Sequence, residues 1–122
     1  AILRKLNHDV YDFKNPPNST GFSWRQVAED WENWTPEQYK QALKHPISKS
    51  GYQSDIGALN ECDACLLVLP SGRSASWEYG YAVAQKKKCA VLMLEKCEPE
   101  LMYLETEILV TMNELFDWAE IR

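Results

Sequence analysis

The chain has 122 residues, 45% of them hydrophobic, with five tryptophans and 13 Lys and Arg against 18 Asp and Glu, for a formal net charge of -5. That length suits a single domain spanning residues 1–122, with enough apolar side chain for a core. The acidic balance, with a pI near 5.0, argues against a surface built for the phosphate backbone, so no nucleic acid is expected as a partner. No apolar stretch approaches the ~20 residues of a membrane span and no signal-peptide pattern is present, so no membrane partner is expected and the location expected is cytoplasmic.

In chain order, residues 1–6 read as the last turns of a helix, with Ile2, Leu3 and Leu6 on one face and Asn7 as its stop. Residues 10–13 alternate like a strand, and residues 15–21, Asn-Pro-Pro-Asn-Ser-Thr-Gly, are loop punctuation. Residues 22–34 space Phe22, Trp24, Val27, Trp31 and Trp34 as a short helix would. Thr35 as N-cap, Pro36 at the first helical position and Glu37 in the first turn predict a helix over residues 36–44, ended by His45-Pro46. A further helix is expected over residues 51–61, presenting Asp55, Ile56 and Leu59.

Residues 64–69 form a continuous apolar run, the pattern of a parallel strand covered on both faces. A helix over residues 74–85 follows, with Ser74 or Ser76 as its cap, and then a second buried strand over residues 89–94. Residues 98–105 are a helix candidate, 108–110 a short strand and 112–121 the closing helix. This alternation predicts a three-layer α/β domain with a parallel sheet. A doubly wound fold starts with a strand and a phosphate-contacting loop, whereas this sequence opens within a helix, so a first strand upstream is expected.

Cys62-Asp63-Ala64-Cys65 has CxxC spacing, but Cys89 and Cys97 supply no second pair of matching spacing for a zinc ribbon. Reduced structural thiols are expected, with no metal and no cofactor. His8 reads as solvent-facing and His45 as a cap, and neither has metal-ligand neighbours. Lys86-Lys87-Lys88 falls where a helix should end and suits a cap that complements the helix dipole.

The densest signal is residues 66–82, where an apolar run ends in Pro70-Ser71-Gly72-Arg73 and a helix follows that carries Glu78 in its expected first turn. Such a loop gathers backbone N–H groups and the positive end of a helix at the carboxyl edge of a strand, where open α/β sheets bind ligands. Ser71, Arg73, Ser74 and Ser76 add hydroxyls and a guanidinium to that point, a set suited to phosphate. Alternatively, Arg73 is a solvated surface side chain and Glu78 only favours its helix start electrostatically.

Asp55, then Asp63 eight residues on, a hydrophobic strand, Pro70, the Gly/Ser loop and Glu78-Tyr79-Gly80-Tyr81-Ala82 resemble the nucleoside 2-deoxyribosyltransferase-like family, including its deoxynucleoside monophosphate N-hydrolase relatives. Residues 9–16, with the Trp-rich segment after them, resemble a bacterial, transferase-like branch. The resemblance covers nearly the whole chain. It implies a flavodoxin-like sheet of order 2-1-3-4-5 and cleavage of an N-glycosidic bond, with Glu78 as the nucleophile on the anomeric carbon. It also implies that Asp55 positions the sugar or moves a proton at the leaving base, and that the protein is a homo-oligomer. An exposed helix carboxylate is the plain alternative for Asp55, and Asp63 reads as a helix end.

An ionised carboxylate suits such chemistry, because it both stabilises an oxocarbenium-like transition state and can form a covalent sugar intermediate. Transferases of the family carry an aspartate six residues before the nucleophile, where this chain has Gly72, and the serines around that point resemble the monophosphate hydrolases. The expected ligand is therefore a small-molecule nucleoside or nucleotide, with Ser71, Gly72, Arg73, Ser74 and Ser76 binding phosphate and Trp24 or Phe22 stacking on the base. Tyr11, Phe13, Trp31 and Trp34 offer the same π-faces, and all of these aromatics also suit core or interface. Two other readings stand beside this one. One is a nucleotide-binding module without turnover, and the other is a TIR-like NAD glycohydrolase, which Ser74-Ala75-Ser76-Trp77-Glu78 also resembles.

Overall fold

The structure is a computed structural model that describes residues 8–13 and 21–120. Its contacts divide the chain into two compact units, Ala1–Ala58 and Leu59–Arg122. The helix expected over residues 1–6 lies outside the described residues, as does most of the loop after it. Residues 10–13 form no strand: only Asp12 makes an isolated bridge. Alternation over four residues is a short signal, and it does not by itself set up an extended ladder.

In the first unit the aromatic segment folds as two 3-10 turns, Trp24–Gln26 and Trp31–Asn33, in place of one short helix. Ser23 and Gln26 form a reciprocal capping box around the first turn, which closes it within three residues. Phe22 and Trp34 meet the Trp24 ring edge-on at 4.8 and 5.7 Å, and Tyr39 meets it at 5.9 Å, so Trp24 anchors this cluster. Helix α1, Pro36–Ala42, starts where expected, with Thr35 and Gln38 capping each other's backbone and Pro36 in the first turn.

Helix α2, Pro46–Glu61, begins five residues before the expected start. The same His45-Pro46 pair that ends α1's segment opens α2, because His45 Nδ1 accepts the Ile47 N–H at 3.1 Å and Pro46 needs no partner for its nitrogen. Ser48 is buried and donates to the Ala42 carbonyl at 2.8 Å, which ties the start of α2 to the end of α1.

The second unit is α/β. Strands β1 (Ala64–Val68), β2 (Lys88–Leu92) and β3 (Glu107–Leu109) form a parallel sheet in the order β1-β2-β3. The register sets Cys65 opposite Cys89 and Val91 opposite Ile108. Cys89, Ala90, Val91 and Leu92 are all buried, as a central parallel strand requires. The edge strands are wetter: Val68 is 54% and Ile108 39% exposed, so the both-face covering expected of β1 is incomplete.

Helix α3, Arg73–Ala84, lies against β1 and β2, and α4, Met112–Glu120, against β3. Leu115, Trp118 and Ala119 recur at helical spacing and form the buried face of α4. A helix expected over residues 98–105 is a 3-10 turn, Leu101–Glu105, whose start is capped by the Glu100 side chain. Buried Tyr79 bonds through its hydroxyl to Thr106, and burial, above all, pushes its pKa up to about 12.

The lysine run caps helices other than the one it follows. Helix α3 stops at a left-handed residue, Lys86 (φ 64°), with Lys86 N–H bonded to Val83 O at 3.0 Å and Lys87 N–H to Ala82 O at 3.3 Å. Lys87 Nζ donates to the Asn60 and Cys62 carbonyls at the end of α2, and Lys88 Nζ to the Trp118 carbonyl of α4. Each cation thus meets the negative end of a helix.

Candidate functional site

Two sets of chemistry-bearing residues are present, one in each unit. The first lines a cavity of about 450 Å³ whose wall includes Tyr11, Phe13, Phe22, Gln26, Ile47 and Asp55. That volume lies within the range of small-molecule sites, about 300–1,000 Å³. Helix α2 supplies one face of it through Pro46, Ser50 and Ser54 and through Ile47, Gly51 and Asp55, two rows at i, i+4 spacing. Gly51 faces the wall opposite at close range. A Cβ there would lie 3.0 Å from Phe22 Cδ1, so the missing side chain lets the phenyl ring close on the helix.

Asp55 is half-buried, and burial raises its pKa above the ordinary aspartate value of 3.8, partly offset by a hydrogen bond from Tyr11. The Tyr11 hydroxyl donates to Asp55 Oδ1 at 3.0 Å and stands 2.8 Å from Ser54 Oγ. A phenol has one proton, so Ser54 donates to Tyr11 and Tyr11 to Asp55. The relay engages Asp55 Oδ1, and Asp55 is itself part of the cavity wall.

The second set sits on the loop after β1 and on α3. Residues 69–72 join the carboxyl end of β1 to the helix, and Gly72 takes the N-cap position without a side-chain bond, its carbonyl accepting Ser76 N–H at 3.3 Å. Neither Ser74 nor Ser76 is the cap, since the helix already begins at Arg73. Glu78 is consequently the sixth helical residue, in the second turn, and the first turn holds no acid. The dipole of the helix start acts within the first turn, so it does not account for a glutamate here.

Glu78 is half-buried, close enough to β1 for its charge to join burial, Cys89 and Cys62 in holding the Cys65 thiol up at about 12. Ser71, Gly72, Arg73, Ser74 and Ser76 are all exposed around the amino end of α3. Beyond them, exposed Trp77 stacks on Tyr81 at 5.5 Å, and Tyr81 donates to Asn60 at 2.9 Å.

Of the sequence-derived residues, Asp55 and Phe22 meet in the cavity, and Ser71, Gly72, Arg73, Ser74, Ser76 and Glu78 share the loop and helix start. Trp24 is not one of the residues lining the cavity and meets Phe22 edge-on. Sequence reasoning missed Gln26, Ser54 and Tyr11 as polar groups of the cavity. Of these, Gln26 had a local signal in the Ser-x-x-Gln capping pattern, while Tyr11 was visible as an aromatic but its bond to Asp55, 44 residues away, had no signal.

None of the four cysteines is in a disulfide, and among the described residues no group of three His, Cys, Asp or Glu is placed to hold a metal. Among the same residues no helix is long and apolar enough to cross a membrane. A scan of protein-family models finds no match to the chain, and comparison with curated proteins finds no significantly similar sequence.

Proposed function

We propose that the protein cleaves or transfers at the N-glycosidic bond of a nucleoside or its 5'-monophosphate, with Glu78 as nucleophile. The observation that carries this reading is the β1–loop–α3 unit, in which a half-buried glutamate follows a small-residue loop at the carboxyl end of a parallel strand. Ligands bind at such strand ends in open α/β sheets. In the reaction the Glu78 carboxylate bonds to the anomeric carbon as the bond to the base nitrogen breaks, and the base leaves with that electron pair. Water or a second base then displaces the carboxylate from the sugar, which restores Glu78. Arg73 and the loop hydroxyls bind the 5'-phosphate.

The resemblance gives Asp55 a part in positioning the sugar or in moving a proton at the leaving base, and its raised pKa suits a group that exchanges a proton. The sequential parallel order of β1, β2 and β3 supports placing them as the last three strands of a flavodoxin-like order 2-1-3-4-5. The same reading includes a homo-oligomer in the cytoplasm, acting without a cofactor.

A second reading, nucleotide binding without turnover, is favoured by one observation: the described residues that line the cavity all fall between Tyr11 and Asp55, and Glu78 is not one of them. Incubation with deoxynucleosides, their monophosphates and NAD, followed by chromatography of released base or nicotinamide, separates the readings. Free base from a nucleoside or nucleotide supports the proposal, nicotinamide supports NAD hydrolysis, and intact ligand throughout contradicts both enzyme readings.

A further inference from the structure

Gln26 has no part in the reaction outlined above, yet its side chain stands in the cavity wall with Phe22 and Asp55. The amide orientation is set by the capping box, because Oε1 accepts the Ser23 N–H at 3.0 Å. Its Nε2 is thereby the end left to donate. Asp55 is the reverse case: Oδ1 is occupied by Tyr11, and Oδ2 is left to accept. The cavity therefore carries one committed donor and one committed acceptor beside the aromatic rings of Phe22, Phe13 and Tyr11.

The geometry points to a cavity that seats a heteroaromatic ring against Phe22 and reads its amide-like edge, the ring's N–H bonding to Asp55 and its neighbouring acceptor taking a hydrogen bond from Gln26. This rests on the reading of the ligand as a nucleoside or nucleotide and makes Gln26 and Asp55 the residues that recognise its base. Every nucleobase pairs a donor with an adjacent acceptor on its Watson–Crick edge, and every one offers a face for stacking. A ring whose edge is methylated at the donor nitrogen leaves the Asp55 oxygen desolvated and unpaired. Such an unmet buried acceptor costs more than a lost neutral contact.

Equilibrium binding by titration calorimetry tests this with three pairs: deoxyinosine and 1-methyldeoxyinosine, thymidine and 3-methylthymidine, deoxyadenosine and N6,N6-dimethyldeoxyadenosine. At least one parent nucleoside should bind, and its methylated partner at least about tenfold more weakly. Gln26→Glu keeps an oxygen for the Ser23 N–H but replaces the donor with an acceptor, so it should weaken the parent about tenfold or more with the melting temperature unchanged. Asp55→Asn should erase most of the difference between parent and methylated ligand.

Equal binding within every pair, binding indifferent to Gln26→Glu in a folded variant, or no binding at all would overturn the inference. Base release is followed in parallel. Discrimination without release contradicts the glycosidic reading and leaves the recognition intact, whereas release without discrimination does the opposite.

Discussion

Replacing Gly51 with alanine places a methyl group against the wall of the cavity. Its Cβ would lie 3.0 Å from Phe22 Cδ1 and 3.2 Å from both Cβ and Cγ of the same ring. Carbon atoms settle at about 3.5–4.0 Å, so the ring must retreat by about 0.5 Å. Phe22 is 37% exposed and not locked in a packed core, so the overpacking cost falls at or below the usual ~1–3 kcal/mol. Against it stands a gain of about 0.5–1 kcal/mol from replacing glycine inside a helix. The two nearly cancel, and thermal unfolding should move by only a few degrees.

Ligand binding should respond more than stability does. If Phe22 forms the stacking face, a displaced ring forfeits about 0.5–1.5 kcal/mol of aromatic contact, a roughly two- to tenfold weaker dissociation constant. Titration calorimetry with the tightest-binding nucleoside, beside a thermal melt of the same variant, reads both quantities. Unchanged affinity with a native melt would refute Phe22 as the wall against which a ring stacks.

Tyr11→Phe removes the one hydrogen bond that lowers the Asp55 pKa, so the carboxyl should titrate at still higher pH, as read from its carbon resonance; an unmoved titration would contradict the Tyr11–Asp55 bond. Burial raises the folded pKa of Asp55, so the folded state holds its proton longer than the unfolded chain does. The contribution of this group to stability should accordingly decline as pH rises from 3.8 through the higher folded value. Asp55→Asn should flatten that part of the melting-temperature profile, and an identical slope in the variant would count against the shift. Lys86→Gly relieves a left-handed backbone at the end of α3 and should stabilise the protein by about 1 kcal/mol in urea unfolding; a loss of stability would contradict that conformation.

Much of the fold was legible because it is written locally. Thr35-Pro36 marked a helix start through side-chain capping, and apolar runs marked β1 and β2, of which only β2 is buried as a central parallel strand. The errors also have local causes. His45-Pro46 carries both a stop and a start, and reading only the stop delayed α2 by five residues. Ser74 and Ser76 suggested a later cap, but the helix starts directly after Gly72, which moved Glu78 into the second turn. The alternation of residues 10–13 suggested a strand, and the backbone there makes only the isolated bridge at Asp12.

The candidate site divides along the same line. Glu78 and its loop are contiguous in sequence and were visible there. The cavity is assembled across 44 residues from Tyr11 to Asp55, and its determinants are individually ordinary: a serine, a glutamine, a glycine. Gly51 owes its place to a close approach by Phe22, which no spacing within α2 signals.

The central claim is that Glu78 forms and breaks a bond to the sugar. Wild-type protein and Glu78→Ala are incubated with the nucleoside or nucleotide that releases base, and product formation and ligand affinity are measured on each. A group that acts chiefly in the transition state changes turnover far more than ground-state binding. The variant should lose base release by about a thousandfold or more while binding ligand within about tenfold of wild type. Turnover undiminished in a folded Glu78→Ala protein would contradict the account.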